Sequence, residues 1–194
     1  MAYRNFIKPF FDWITALVFL VLCSPFFIIL ILILTLVHKG SPFFVQQRIG
    51  LKGGYFSILK FRTINKTGEI TAFLSFLRKT KLDETPQILN ILKGEMSWIG
   101  PRPDIAGYYD TLKGENRKIL DLKPGLTGIA SLAFIDEEFI LAEKENPMHY
   151  NDTIIFPEKV KLNRYYRRYI SFTLDLKILI KTLILLLKPK KPNN

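Results

Sequence analysis

Residues 13–37 of this 194-residue chain, WITALVFLVLCSPFFIILILILTLV, carry no charged side chain. As one helix they would measure about 38 Å, against a bilayer hydrocarbon core of about 30 Å. The chain is therefore expected to enter a membrane near its N-terminus. Pro25 complicates a simple span: it has no amide donor, its ring crowds the preceding turn, and it pushes Ser24 away from helical geometry. Charge complicates it too. Arg4 and Lys8 precede the run, while Lys39, Arg48, Lys52, Lys60 and Arg62 follow it. Positive charge on both flanks leaves the cytoplasmic bias undecided for a spanning helix, but suits one that bends at Ser24-Pro25 and leaves by the face it entered. The residues alone leave both topologies open. The run is too long, and lacks the small-residue site, for a cleaved signal peptide.

Composition narrows the rest. Lys and Arg number 28 against 17 acids, giving a formal charge of +11, so an anionic partner is expected. The charge is segregated: residues 38–81 hold 9 basic and 1 acidic, residues 104–158 hold 5 and 11, and residues 159–194 hold 10 and 1. The single cysteine, Cys23, lies inside the apolar run, which excludes a disulfide framework and a cysteine zinc site. His38 and His149 are too far apart in sequence to suggest a histidine metal centre.

The remaining pattern predicts a helix-dominated α+β domain over residues 40–194, attached to an anchor over residues 1–39. Strand-like residues 43–47 and 55–61 flank Gly50, Gly53 and Gly54, as in a short hairpin. Helical spacing over residues 70–81 places Ile70, Phe73, Leu74 and Leu77 beside Arg78, Lys79 and Lys81, which suits a membrane surface or a soluble core. Further helices are expected over residues 86–96, with Thr85 as N-cap, and over residues 105–120 and 136–145, while residues 164–169 and 170–188, the latter with an apolar face, finish the chain. Residues 97–103 and 123–131 read as turn-rich loops. Tyr165, Tyr166 and Tyr169 among three arginines suit a bilayer interface better than nucleic-acid stacking.

The patch with most chemical content is LDETPQ, residues 82–87. Adjacent carboxylates before a helix starting at Pro86 would meet unpaired amides and the positive end of its dipole. Such a carboxylate stays ionised and can attack phosphorus if cations offset the phosphate charge. Acids are also common in first turns with no further role. Lys60, Arg62, Arg78 and Arg102 are the candidate phosphate-binding cations, with Arg102 stiffened by a proline on each side.

Several segments together resemble the bacterial sugar transferase family, the small monotopic phosphoglycosyl transferases. They are residues 8–12, Ser24-Pro25, QQRIG (46–50), KFRT (60–63), LRKTKLDETPQILNILKGEMSWIGPRP (77–103), KPGLTGIA (123–130) and SFTLDLKILIKT (171–182). The resemblance implies a re-entrant helix with both ends on the cytoplasmic face of the bacterial inner membrane. It implies transfer of a sugar 1-phosphate from a UDP-sugar to undecaprenyl phosphate, with release of UMP and initiation of a surface glycan. Asp83 and Glu84 would be catalytic, Asp83 as the nucleophile of a covalent phosphosugar intermediate, with Mg²⁺ near both. Pro9, Leu74, Ser131 and Asn163 depart from the family's frequent residues, and residues 146–163 look like a subgroup insertion. A rival reading is a non-catalytic anchored module that binds anionic phospholipids through the basic segments. A nucleic-acid partner is not expected. Homo-association through the membrane helix has no small-xxx-small motif to support it.

Single cysteines introduced at Arg4 and at Lys39 in a Cys23→Ala background should react with a membrane-impermeant thiol reagent from the same side of the bilayer. Labelling from opposite sides would refute re-entry.

Overall fold

The computed structural model describes residues 2–64 and 68–187. Helix α1 (Lys8–His38), preceded by one π-turn at Tyr3–Ile7, is the dominant element. Together these form a helix long and apolar enough to cross a membrane. The helix runs without interruption through Pro25, so helical structure continues across the expected bend at Ser24-Pro25. The Ser24 hydroxyl donates to the Val21 carbonyl at 2.8 Å, a back-bond that helps a helix accommodate a nearby proline. Across this segment the rings of Phe19 and Phe27 approach to 6.3 Å, although eight residues of straight helix rise about 12 Å.

One stripe of α1 faces the domain. Lys8, Asp12, Ala16, Phe27, Leu30, Leu34 and His38 are buried, with Leu20, Cys23 and Ile31 packed alongside, a spacing of three or four residues that holds on both sides of Pro25. The other faces expose Phe10, Val18, Leu22, Ile29, Leu32 and Leu36. The anchor is thus also a core element.

Strands β1 (Phe43–Ile49) and β2 (Tyr55–Phe61) form the expected antiparallel hairpin, pairing Phe43 with Phe61 and Ile49 with Tyr55. Helix α2 (Ala72–Lys79) starts at Thr71, whose hydroxyl caps the Leu74 amide. It buries Leu74 and Leu77 and exposes Phe73 and Phe76. A 3₁₀ turn at Leu82–Gln87 then leads into α3 (Ile88–Leu92). The helix expected from Pro86 therefore starts four residues earlier and ends sooner. Lys81 in the left-handed conformation (φ 58°) reverses the chain ahead of Leu82. Side chains from α1, β2, α2 and α3 meet in one core around Leu34, Ile58, Leu77, Ile88 and Ile91.

The segments expected as glycine-rich loops pair instead as two short parallel strands, β3 (Ser97–Ile99) and β4 (Gly125–Thr127). Backbones there pass too closely for any side chain: a Cβ on Gly125 would lie 2.1 Å from the Gly100 amide nitrogen, and one on Gly128 2.1 Å from the Gly100 oxygen. Residues 105–120 are not one helix. They comprise a 3₁₀ turn at Tyr109–Thr111, α4 (Gly114–Arg117) and the start of a second 3₁₀ turn at Lys118–Asp121, interrupted by Gly107 and Gly114 at positive φ. Short helices α5 (Ile129–Ala133), α6 (Glu137–Ala142) and α7 (Pro147–Tyr150) follow. A π-turn at Asn151–Ile155 continues into α8 (Phe156–Tyr169), so the 146–163 segment is mostly helix. Helix α9 (Phe172–Leu187) ends the description; Lys188, the expected end of that helix, lies outside the described residues.

A buried polar cluster joins α1 to α8, α9 and β3. Lys8 Nζ lies 2.8 Å from Asp175 Oδ2, and the Tyr3 and Tyr166 hydroxyls each donate to Asp175 at 2.6 Å. Asp12 accepts from Ser97 Oγ at 2.7 Å, while the Trp98 indole donates to the Asp12 carbonyl and the Thr15 hydroxyl. Removing one side of a buried ion pair strands the other. Asp175→Ala should cost about 3–5 kcal/mol, read as a lowered melting temperature in detergent, and Tyr166→Phe about 1 kcal/mol. An unchanged melting temperature for Asp175→Ala would contradict this account of how the anchor is held.

Candidate active site

Asp83 and Glu84 lie in the 3₁₀ turn at Leu82–Gln87, which packs on β2. The turn is fixed from within: the Thr85 hydroxyl donates to the Leu82 carbonyl at 2.7 Å, and the Glu84 amide to the Lys81 carbonyl at 3.1 Å. Pro86, lacking an N–H, cannot close the 3₁₀ bond to the Asp83 carbonyl. The two adjacent carboxylates have different surroundings.

Glu84 is buried and clamped. Arg102 Nη2 donates to its Oε1 at 2.5 Å and Nη1 to its Oε2 at 3.3 Å, while Lys60 Nζ reaches Oε1 at 3.2 Å. Three of the roughly four acceptor positions of the carboxylate are therefore filled. Burial alone would raise its pKa, but Arg102 and Lys60 outweigh burial and hold it down to about 2.

Asp83 is half-buried, and its Oδ1 has no hydrogen-bond partner among the described residues although solvent does not reach that atom. Burial first, and then the Glu84 charge, push its pKa up; Lys60, Lys81 and Arg78 partly offset them. A desolvated carboxylate oxygen with no bond to give up is what a nucleophile or a metal ligand requires. Among the described residues, no group of three or more His, Cys, Asp or Glu side chains is arranged to hold a metal. A site built from protein ligands alone is thus not formed there, whereas Asp83 Oδ1 could supply one ligand to an ion otherwise held by substrate oxygens.

Of the four predicted cations, Lys60 and Arg102 converge on Glu84, and Arg78 acts on Asp83 through its charge. Arg62 turns elsewhere: its side chain reaches the Phe43 carbonyl at 3.5 Å, and its own carbonyl accepts from His38 Nε2 at 2.8 Å. Arg102 is carried by the loop after β3, whose course the Gly100–Gly125 contact sets. The sequence reading missed Arg48, Lys81, Asp104 and the Lys159–Glu137 ion pair. Their charges bear on one another or on the residues of the clamp, and Glu137 acts directly on Arg102. Arg48 stands within QQRIG, so that motif was the available signal. A separate cleft of about 220 Å³ lies between Arg4, Lys8, Lys123 and Tyr166 and is not lined by the carboxylate pair.

A membrane-associated domain that gathers a carboxylate pair among cations is fitted to handle phosphorylated substrates. Residues 3–189 match the model of the bacterial sugar transferase family, and the chain belongs to that family and is a transferase. The uncharacterized sugar transferase EpsL of Bacillus subtilis is 32% identical over 188 residues, covering 91% of this chain and 85% of the relative. The UDP-N-acetylgalactosamine-undecaprenyl-phosphate N-acetylgalactosaminephosphotransferase of Aeromonas hydrophila is 30% identical, covering 92% and 43%. The UDP-glucose:undecaprenyl-phosphate glucose-1-phosphate transferase of Xanthomonas campestris is 31% identical, covering 94% and 39%. This chain thus spans under half the length of the last two, whose names carry different sugars.

The clamp has a pH signature. Because the folded-state pKa of Glu84 is depressed, its stabilisation is present above the ordinary carboxyl range and is lost as pH falls from about 4.5 toward about 2. Denaturant titrations at stepped pH should show wild type losing more stability across that window than Glu84→Gln. Parallel pH profiles would contradict the clamp.

Proposed function

We propose that this chain transfers a sugar 1-phosphate from a UDP-sugar to undecaprenyl phosphate, releasing UMP, in two displacements at Asp83. The observation that carries this reading is the unpartnered, desolvated Asp83 Oδ1 beside a Glu84 whose charge is already neutralised. In the first displacement an Asp83 oxygen bonds to the β-phosphorus. The bond from that phosphorus to the bridging oxygen breaks, and its electron pair leaves with UMP. An oxygen of undecaprenyl phosphate then attacks the same phosphorus, the bond to Asp83 breaks, and the carboxylate returns. A water-borne donor and a lipid-borne acceptor thereby use one site in turn.

Within this scheme Lys60 and Arg102 hold Glu84 and supply positive potential, while Lys81 and Arg78 lower the repulsion between Asp83 and the incoming phosphate. Mg²⁺, when bound, would offset the charge of the diphosphate, with Asp83 as its protein ligand and Glu84 beside it; magnesium ordinarily takes one or two carboxylates together with phosphate oxygens and water. The membrane arrangement belongs to the same reading. Helix α1 enters the bilayer from the cytoplasmic face and returns to it. The support is a stripe buried on the domain on both sides of Pro25 and the tethering of both ends, Lys8 to Asp175 and His38 to the Arg62 carbonyl. The product would start a surface glycan.

In detergent, with a UDP-sugar and no lipid acceptor, wild type should release about one UMP per protein and stop, as expected of a covalent intermediate. Asp83→Asn should release none. Sustained turnover by Asp83→Asn would refute the nucleophile. If no UDP-sugar releases UMP from wild type, the anchored lipid-binding module becomes the better reading.

A further inference from the structure

We infer that Arg48 on β1 is a phosphate-binding residue of the donor site, beside an Arg102 that Glu84 already holds. This rests on the transferase reading above and names a further contact within it.

The geometry starts from the hairpin. In its register Arg48 faces Phe56, Gln46 faces Ile58, and Phe44 faces Lys60. Directly opposed residues of an antiparallel pair project to the same side, so Arg48 shares one hairpin face with Phe56, Ile58 and Lys60. That is the side from which Lys60 reaches Glu84. The loop bearing Arg102 crosses the other end of the hairpin: the Ile49 amide donates to the Asp104 carbonyl at 2.9 Å, next to Arg48 and two residues from Arg102. Arg48 and Lys60 therefore bracket the face on which the Glu84–Arg102 pair sits.

The two arginines are used differently. Arg102 gives one N–H from each terminal nitrogen to Glu84. Arg48 donates from Nη2 to Gln46 Oε1 at 2.7 Å, and its Nε is buried with no acceptor among the described residues. An arginine has five N–H donors, and a buried one without a partner costs stability unless something else fills it. Phosphate oxygens, like carboxylate oxygens, match the planar fork.

Charge balance agrees. Lys60, Arg78 and Lys81 act on Asp83, Arg102, Lys60 and Lys81 act on Glu84, and Arg48 interacts with Asp104 and Glu84. Glu137, which also acts on Arg102, is neutralised by Lys159 at 2.6 Å. Five cations against three carboxylates leave an excess of positive charge, which favours an anionic ligand.

The test uses the full chain in detergent, with UDP as the probe and calorimetry as the readout. Arg48→Gln should weaken UDP binding by about tenfold or more, the loss of one charge-assisted hydrogen bond. Arg48→Lys should recover part of the loss by restoring charge without the fork. In turnover, Arg48→Gln should lower kcat/KM for the UDP-sugar. Wild-type UDP affinity in Arg48→Gln, or an unchanged kcat/KM for the UDP-sugar, would overturn the assignment. Should Arg48→Gln fail to fold, unchanged UDP affinity in Arg48→Lys does the same. Weakened UDP binding in a chain whose wild type shows no transfer would keep Arg48 as an anion site and remove the transferase reading instead.

Discussion

The clamp of Arg102 and Lys60 on Glu84 is the interaction on which the site depends. It ties three chain segments to one carboxylate: β2 through Lys60, the 3₁₀ turn through Glu84, and the loop after β3 through Arg102. A buried carboxylate without partners would be protonated or expelled; with two cations it remains ionised. Its neighbour Asp83 inherits the consequence. The charge next door is already satisfied, yet nothing among the described residues bonds Asp83 Oδ1. Two adjacent acids thereby acquire separate roles through environment alone, one structural and electrostatic, the other free to react.

The same economy governs the anchor. One stripe of α1 completes the core around Leu34 and Ile58, and the remaining faces are apolar and exposed. The buried ion cluster at Lys8, Asp12 and Asp175 fixes one end, and the His38 hydrogen bond fixes the other. Membrane insertion and domain stability are thus coupled: a change that loosens the helix from the bilayer also disturbs the wall behind α3 and β2. Helix α9, with Phe172, Leu176, Ile180, Leu183 and Ile184 exposed, adds a second apolar surface on the side of α1 marked by the Phe11–Phe172 contact.

Period and punctuation made part of this legible in the sequence. The uncharged run, the alternating hairpin strands and the helical spacing over residues 70–81 follow from local patterns. The β3–β4 pairing did not, because Ser97–Ile99 and Gly125–Thr127 are three residues each and pair across 28 residues of sequence; their glycines mark close backbone approach but read equally as loop. The start of the turn at Leu82 was missed because it depends on Lys81 adopting a left-handed conformation that a lysine does not advertise. At the site, residue type and spacing suggested Asp83, Glu84, Lys60 and Arg102, but only tertiary contact separates Arg102 from Arg62 and reveals that Arg48 keeps donors unspent. Charge sign is written in the chain, and the partner of each charge is not.

The central claim is that Asp83, and not Glu84, bonds to the donor phosphorus. Peptide mapping by mass spectrometry after brief exposure to a UDP-sugar, quenched before any lipid acceptor is added, tests it directly. The account predicts one added sugar phosphate on the peptide containing Asp83, localised to that residue by fragmentation and retained in Glu84→Gln at reduced yield. An adduct on Glu84, or turnover to the lipid product with no adduct on either residue, would contradict it.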